Sequence, residues 1–145
     1  MPLCSLEEAL EDLTSGKFVI VVDDESRENE GDLFLLAQHA TPDAVNFMVT
    51  HARVLVCVPL LAERLDELRI PMLRSRNSTS SQPTAFTTSV DYKRGTTTGI
   101  SASDRSATIR ALIDPDSVPE DFIHPGHMFP LRAIQGGVLR PPGHT

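Results

Sequence analysis

An unbroken apolar run, Phe18-Val19-Ile20-Val21-Val22, opens directly into Asp23–Asp32, where ten residues hold six carboxylates and one arginine. The run lacks the alternation of a half-solvated strand, so it reads as a strand covered on both faces, as in an α/β layer. The charges that follow cannot enter the interior unpaired. The segment therefore fixes a strand end and an oxygen-rich loop, and strand-end loops carry sites in α/β folds. Taken alone, the acidic run fits a solvated loop equally well.

The rest of the chain supports the layered reading. Ser5-Leu6-Glu7-Glu8 has the spacing of a capping box. Leu6, Ala9, Leu10 and Leu13 then share one helical face, and Gly16 is the expected stop. Leu33–Ala37 reads as a second strand. Thr41-Pro42-Asp43 opens a helix with a hydroxyl cap and a first-turn proline, and Val54–Val58 is a third strand closed by Pro59. A short helix is expected over 61–68, a polar loop over 74–83, a strand over 85–90 and a helix over 104–113. With no internal repeat and no linker, one domain over 1–145 is expected. Helices alternating with apolar strands give the α/β class.

Bulk properties narrow the function. At 145 residues the chain can bury a core of its own. A net charge of −7 and a single tyrosine with no tryptophan argue against nucleic acid as a partner. No apolar run approaches a membrane span, and residues 1–17 lack the basic-then-apolar order of a leader. Cys4 and Cys57 form no disulfide framework. The cytoplasm is the expected location, and Cys57, inside an apolar strand, reads as a core residue.

Three segments carry chemistry. In the first, Glu28, Glu30 and Asp32 alternate, so an extended backbone puts them on one face. Carboxylates held together call for a cation, and oxygen donors suit Mg²⁺ or Mn²⁺. Arg27 beside them can pair with the anionic end of a phosphorylated substrate. In the second, Thr96–Arg105, hydroxyls and amides at a helix start can hold a phosphate. Asp104 also fits a plain helix cap there, and Arg105 a surface charge. In the third, His124-Pro125-Gly126-His127, the flanking proline and glycine imply a fixed turn rather than a helix. A histidine fixed there is a credible acid or base. His144 can serve as a metal ligand and Thr145 as a phosphate or hydroxyl donor, although a histidine so near a chain end is more often disordered. No Walker loop, GxGxxG, HExxH or CxxC competes.

Together VVDDESRENEGD, TTTGISASDR, PGHMFPLRA and GGVLRPPGHT resemble, in order and over about Leu6–Thr145, the 3,4-dihydroxy-2-butanone 4-phosphate synthases of riboflavin biosynthesis. The resemblance implies an α/β (α+β) fold, a three-layer arrangement around a mixed twisted sheet. It implies a lyase that converts D-ribulose 5-phosphate to L-3,4-dihydroxy-2-butanone 4-phosphate and formate. Two Mg²⁺ or Mn²⁺ ions per site and no organic cofactor are implied, as is a homodimer with interfacial sites and no nucleic-acid or membrane partner. Glu28 would bridge the ions and His144 ligate one. Arg27, Glu28, Asp32, Arg140, Gly143, His144 and Thr145 would meet substrate, with Thr145 at the phosphate end. His127 and Glu28 would be catalytic, and Thr98, Ser101, Asp104 and Arg105 would line or support the site. The loop over 74–83 would close over the substrate.

Two departures stand out. Family domains continue beyond the last motif and carry a further catalytic glutamate there, so a C-terminally incomplete domain is expected. The 145-residue chain is then expected to be inactive, a remnant, or the N-terminal part of a bifunctional protein with GTP cyclohydrolase II. The family also places an arginine where this chain has Pro141. Arg140 stands one position earlier, before two prolines of fixed φ, so weaker phosphate binding is expected.

Overall fold

The computed structural model describes residues 3–23, 26, 30–53, 55–73 and 85–136. They form α1 (Leu6–Thr14), β1 (Val19–Val22), β2 (Gly31–Phe34), α2 (Pro42–Phe47), β3 (Cys57–Leu60), α3 (Ala62–Glu67), β4 (Val90–Tyr92), α4 (Ala102–Ile113) and β5 (Phe122–Arg132). A 3₁₀ turn at Ala37–His39, a π turn at Met48–Ala52 and a 3₁₀ turn at Pro119–Asp121 join them.

The helix starts follow the local chemistry. The Glu8 amide donates to Ser5 Oγ at 3.2 Å, and the Ser5 amide donates to Glu8 Oε2 at 2.9 Å. This reciprocal cap satisfies two otherwise orphan donors. The chain leaves α1 through Gly16 at φ +84°, a conformation that costs glycine nothing. Thr41 caps α2, with Ala44 N donating to its hydroxyl at 3.1 Å. Ser101 caps α4 in the same way, accepting from Asp104 N at 3.0 Å.

Two sheets are present among the described residues. β1 and β2 form an antiparallel ribbon with Val21 opposite Asp32. β5 is the centre of a mixed sheet, parallel to β3 on one side and antiparallel to β4 on the other. Pro59 lies inside β3 rather than closing it. It is tolerated because β3 is an edge strand among the described residues, so no ladder bond there needs its missing N–H.

The core lies between this mixed sheet and the helices. Val45, Leu68, Val90, Leu112 and Met128 are almost completely buried in one cluster. α4 is fastened by polar contacts that burial makes costly to lose. Ser106 Oγ donates to Ala40 O at 2.6 Å, and Thr108 Oγ1 donates to Asp104 O at 2.9 Å while accepting from Tyr92 N at 3.0 Å. Arg64 closes the other end of the helix. Its Nε donates to Leu112 O at 3.0 Å and its guanidinium also reaches Asp114 O at 2.5 Å. A cation at those carbonyls complements the negative end of the helix.

Three expectations change. β1 is not covered on both faces: Ile20 is 64% exposed and Val22 52% exposed. A two-stranded ribbon alone supplies no second layer. The apolar face of α1 is likewise open, with Leu6 70% exposed. The segment around His127 lies in a long strand, β5, rather than in an isolated turn. Proline and glycine there mark an excursion from the ladder, as described below.

Replacing Arg64 by Ala removes a fork that serves two carbonyls. Charge-assisted hydrogen bonds of this kind contribute about 1.5–3 kcal/mol. The expected outcome is a loss of about that size in urea unfolding, seen as a lower midpoint at unchanged m-value. Arg64→Lys should recover only part of it, because an ammonium cannot present the same fork.

Candidate active site

The register between β4 and β5 breaks at one point. Tyr92 pairs with Phe122 and Asp91 with Ile123, but Val90 pairs with Met128. Residues 124–127 therefore stand out of the ladder directly opposite Asp91. Gly126 makes the excursion sterically feasible: a Cβ there would lie 2.1 Å from Val90 C and 2.3 Å from Asp91 N. Its amide donates instead to Ser89 O at 3.1 Å.

This geometry delivers His127 onto Asp91. The His127 amide donates to Asp91 Oδ1 at 2.8 Å, and its ring Nδ1 lies 2.7 Å from Asp91 Oδ2. The Asp91 side chain is 11% exposed and that of His127 is 42% exposed. A buried carboxylate thus holds a half-open imidazole.

A second acid braces the pair. Asp104, in the first turn of α4, accepts from Thr97 N at 3.2 Å, Thr97 Oγ1 at 2.8 Å and Gly99 N at 3.0 Å. Burial by itself raises this carboxyl. The hydrogen bonds from Thr97, Gly99 and Ser101 outweigh it and hold the group below its ordinary value. Gly99, at φ +85°, is the link between the two acids, since a Cβ there would sit 2.0 Å from Asp91 Oδ2 and 2.7 Å from His127 Nδ1. The hydroxyl segment and the histidine segment of the sequence therefore meet at one place. Ser101, not Asp104, is the helix cap, because Asp104 is turned toward the loop behind it. Thr98 and Ser101 lie exposed on the same loop. Arg105 is half-buried rather than a free surface charge, and its Nε is buried without a hydrogen-bond partner.

The acidic run is described only at its base. Glu30 N donates to Asp23 Oδ1 at 2.8 Å and Asp23 N donates to Glu30 O at 3.3 Å, which closes the loop where it leaves the ribbon. Asp32 lies exposed on β2 and lines a groove of about 710 Å³ together with Phe18, Ile20, His51 and Cys57. Cys57 is therefore not a core residue: it is half-buried in the groove wall, next to Asp32. Burial, and then the charge of Asp32, push its thiol up from 9.0. The Asp91–His127 pair does not line this groove. Arg27, Glu28, Arg140, Gly143, His144, Thr145 and the loop over 74–83 lie outside the described residues. Among the described residues no three His, Cys, Asp or Glu side chains gather as a metal site.

Asp91 was not singled out by its sequence. The one signal is an acid inside the apolar stretch Val90-Asp91-Tyr92, where an unpaired charge is costly. That cost asks for a donor such as His127.

The two perturbed groups have measurable consequences. Asp104 has a folded value below 3.8, so its contribution to stability is present above that pH and is lost as pH falls through the lower folded value. Acid unfolding of Asp104→Asn should lack that component, and the variant should be less stable at neutral pH, because one amide oxygen cannot replace two carboxylate oxygens. Cys57 should alkylate more slowly than exposed Cys4 at about pH 8, since only the thiolate reacts. Asp32→Asn should speed alkylation of Cys57 and leave that of Cys4 unchanged.

Comparison with known proteins gives these features a common context. A family model for 3,4-dihydroxy-2-butanone 4-phosphate synthase matches residues 7–145. The synthase of that name from Agrobacterium fabrum is 57% identical over the whole of this chain, which spans 68% of that protein's length. The riboflavin biosynthesis protein RibBA of Bacillus subtilis is 56% identical over 97% of the chain, which spans 35% of it. A crystal structure of 3,4-dihydroxy-2-butanone 4-phosphate synthase in complex with two magnesium ions superposes with a TM-score of 0.91 at 43% identity, covering 98% of this chain and 66% of that one. The chain belongs to the 3,4-dihydroxy-2-butanone 4-phosphate synthase family of riboflavin biosynthesis.

Proposed function

We propose that this chain carries the lyase chemistry of its family, converting D-ribulose 5-phosphate to L-3,4-dihydroxy-2-butanone 4-phosphate and formate. The observation that best supports this is the half-open His127 imidazole, fixed by Asp91 on an excursion that Gly126 and the Asp104-bound loop hold in place. The reaction needs a C–H proton taken from a ketose, a hydroxyl expelled, a carbon shifted and one carbon released. A fixed imidazole can take and return protons in such a sequence. Nε2 of His127 has no hydrogen-bond partner among the described residues, so it is the atom at which those protons would move.

The other roles follow from residue chemistry. Arg27 and Asp32 would contact the substrate's polar groups, with Arg140, Gly143 and Thr145 toward its phosphate. Arg140 stands one position before the place of the family's arginine, at Pro141, so phosphate binding would be weaker. Thr98 and Ser101 offer hydroxyls on the loop that Asp104 stiffens, and Arg105 would line or support the site. Glu28 and His144 are the proposed ligands of Mg²⁺ or Mn²⁺, two ions per site; oxygen and imidazole donors suit both. A bound divalent ion supplies positive charge for the negative charge that develops on substrate oxygens. No organic cofactor is invoked. We place the enzyme in the cytoplasm as a homodimer, with 1–145 forming a single domain that needs more polypeptide to be complete.

The exposed β1 and the open apolar groove favour a second reading, in which residues 1–145 turn over only when joined to further polypeptide. One experiment covers both. Formate release from D-ribulose 5-phosphate with Mg²⁺ is measured for the chain itself and for the chain extended by the C-terminal third of the Agrobacterium relative. Formate from the extended protein alone selects the second reading, and formate from neither sinks the proposal. In whichever form turns over, His127→Gln should lower kcat by roughly 10²–10⁴-fold, and a chelator should abolish activity reversibly.

A further inference from the structure

We propose that Asp104 is a positioning residue for substrate binding: it clamps the residues on both sides of Thr98 and so presents the Thr98 hydroxyl, already oriented, to the substrate. The inference rests on the reading of this loop as part of the lyase site. It adds which hydroxyl of the loop binds and what holds it there.

Three observations carry it. First, the three successive threonines after β4 are not equivalent. Thr96 Oγ1 donates to Tyr92 O at the end of β4. Thr97 Oγ1 donates to Asp104 Oδ2 at 2.8 Å. Thr98 is exposed, and its hydroxyl has no hydrogen-bond partner among the described residues. Two hydroxyls are thus spent inside the fold, and the third is left to offer a donor and an acceptor to a ligand.

Second, Thr98 is held from both sides by one group. The amides of Thr97 and Gly99 both donate to the Asp104 carboxylate, at 3.2 and 3.0 Å. Gly99 is buried at φ +85°, and a Cβ there would lie 2.7 Å from His127 Nδ1, so Thr98 stands one position from the imidazole. A side chain whose backbone is fixed beforehand loses less freedom when a ligand binds.

Third, Asp104 is placed to act through the loop and not on the substrate. It is 4% exposed, and both carboxylate oxygens are engaged by the loop. Its own amide donates to Ser101 Oγ at 3.0 Å, and its carbonyl accepts from Thr108 Oγ1 at 2.9 Å. Thr108 in turn accepts from Tyr92 N of β4 at 3.0 Å. The clamp is therefore rooted in α4 and β4, and buried support of this kind is what holds a binding group in orientation.

The test is the mobility of the Thr98 amide, read by nitrogen-15 relaxation of the labelled 145-residue chain. The expected wild-type order parameter is that of rigid backbone, about 0.85. Asp104→Asn keeps one acceptor oxygen and turns an NH₂ toward the loop donors. In that variant the Thr98 value should fall to about 0.6 or below, while the amide spectrum stays dispersed. Thr97→Val removes one of the three clamping bonds and should give a smaller fall. A mobile wild-type Thr98, or a folded Asp104→Asn with Thr98 still rigid, overturns the proposal. Should Asp104→Asn not fold, an unchanged Thr98 in Thr97→Val overturns it instead.

In whichever form releases formate, Thr98→Val should raise KM roughly 2- to 10-fold, the worth of one hydrogen bond, with kcat little changed. Asp104→Asn should raise KM to a similar extent, and the double variant should be no worse than Asp104→Asn alone, because both remove the same contact. Additive effects overturn the proposal. A fall in kcat at unchanged KM in Asp104→Asn would mean that the clamp acts through His127 and not through Thr98, and would overturn it too. The relaxation measurement needs no turnover. A failure of the lyase reading therefore shows in the formate assay of His127→Gln, and a failure of this inference shows in the mobility of Thr98.

Discussion

The break in register between β4 and β5 is the constraint on which the rest of the candidate site depends. A regular antiparallel ladder would have placed residues 124–127 in sequence along β5, each opposite a β4 neighbour. Instead Val90 jumps to Met128 while Asp91 keeps Ile123. The intervening residues must leave the sheet, and they leave it above a buried acid. Bulges re-aim side chains in this way at a local cost in ladder hydrogen bonds. Here the lost ladder bonds are partly replaced, since Gly126 N finds Ser89 O and His127 N finds Asp91 Oδ1.

The same site shows how two buried carboxylates are made tolerable by different means. The Asp104 carboxylate accepts from Thr97 N, Thr97 Oγ1 and Gly99 N while its own amide donates to Ser101 Oγ, so it serves as a fastening point for loop and helix cap. Asp91 has the histidine as its partner for both oxygens. One acid fixes a loop and the other fixes a ring, and Gly99 touches both. A substitution at Gly99 would therefore disturb loop and ring together, because its φ of +85° and its missing Cβ are both required.

Much of the fold was legible where local chemistry decides structure. The box at Ser5 and Glu8 and the Thr41-Pro42 start name real helix ends because their donors and acceptors lie within one turn. The strand β5 was not legible: its Pro125 and Gly126 look like punctuation, and only the pairing with β4 reveals them as an excursion. The burial of β1 was misjudged for a related reason. An apolar run states a preference for cover, but what covers it is decided elsewhere, and the described residues leave Val21 52% exposed. Of the candidate residues, His127, Asp104 and Ser101 are brought to one place. Asp91 was invisible because its significance lies entirely in a partner distant in sequence.

The exposed apolar surface bears on how the chemistry would work. Ile20, Val21, Val22 and Leu55 are each at least half exposed, and Ile20 and Leu55 face the groove that also holds Asp32 and Cys57. Side chains of this kind gain about 1.5–3 kcal/mol each when fully covered. Any polypeptide laid over the groove would gain that stabilisation and would raise the local effect of the Asp32 charge by excluding water. The Asp91–His127 pair lies apart from that groove, held between β4, β5 and the loop at Gly99. The acid–base pair is thus built by residues 85–132, whereas the groove around Asp32 keeps apolar side chains exposed among the described residues.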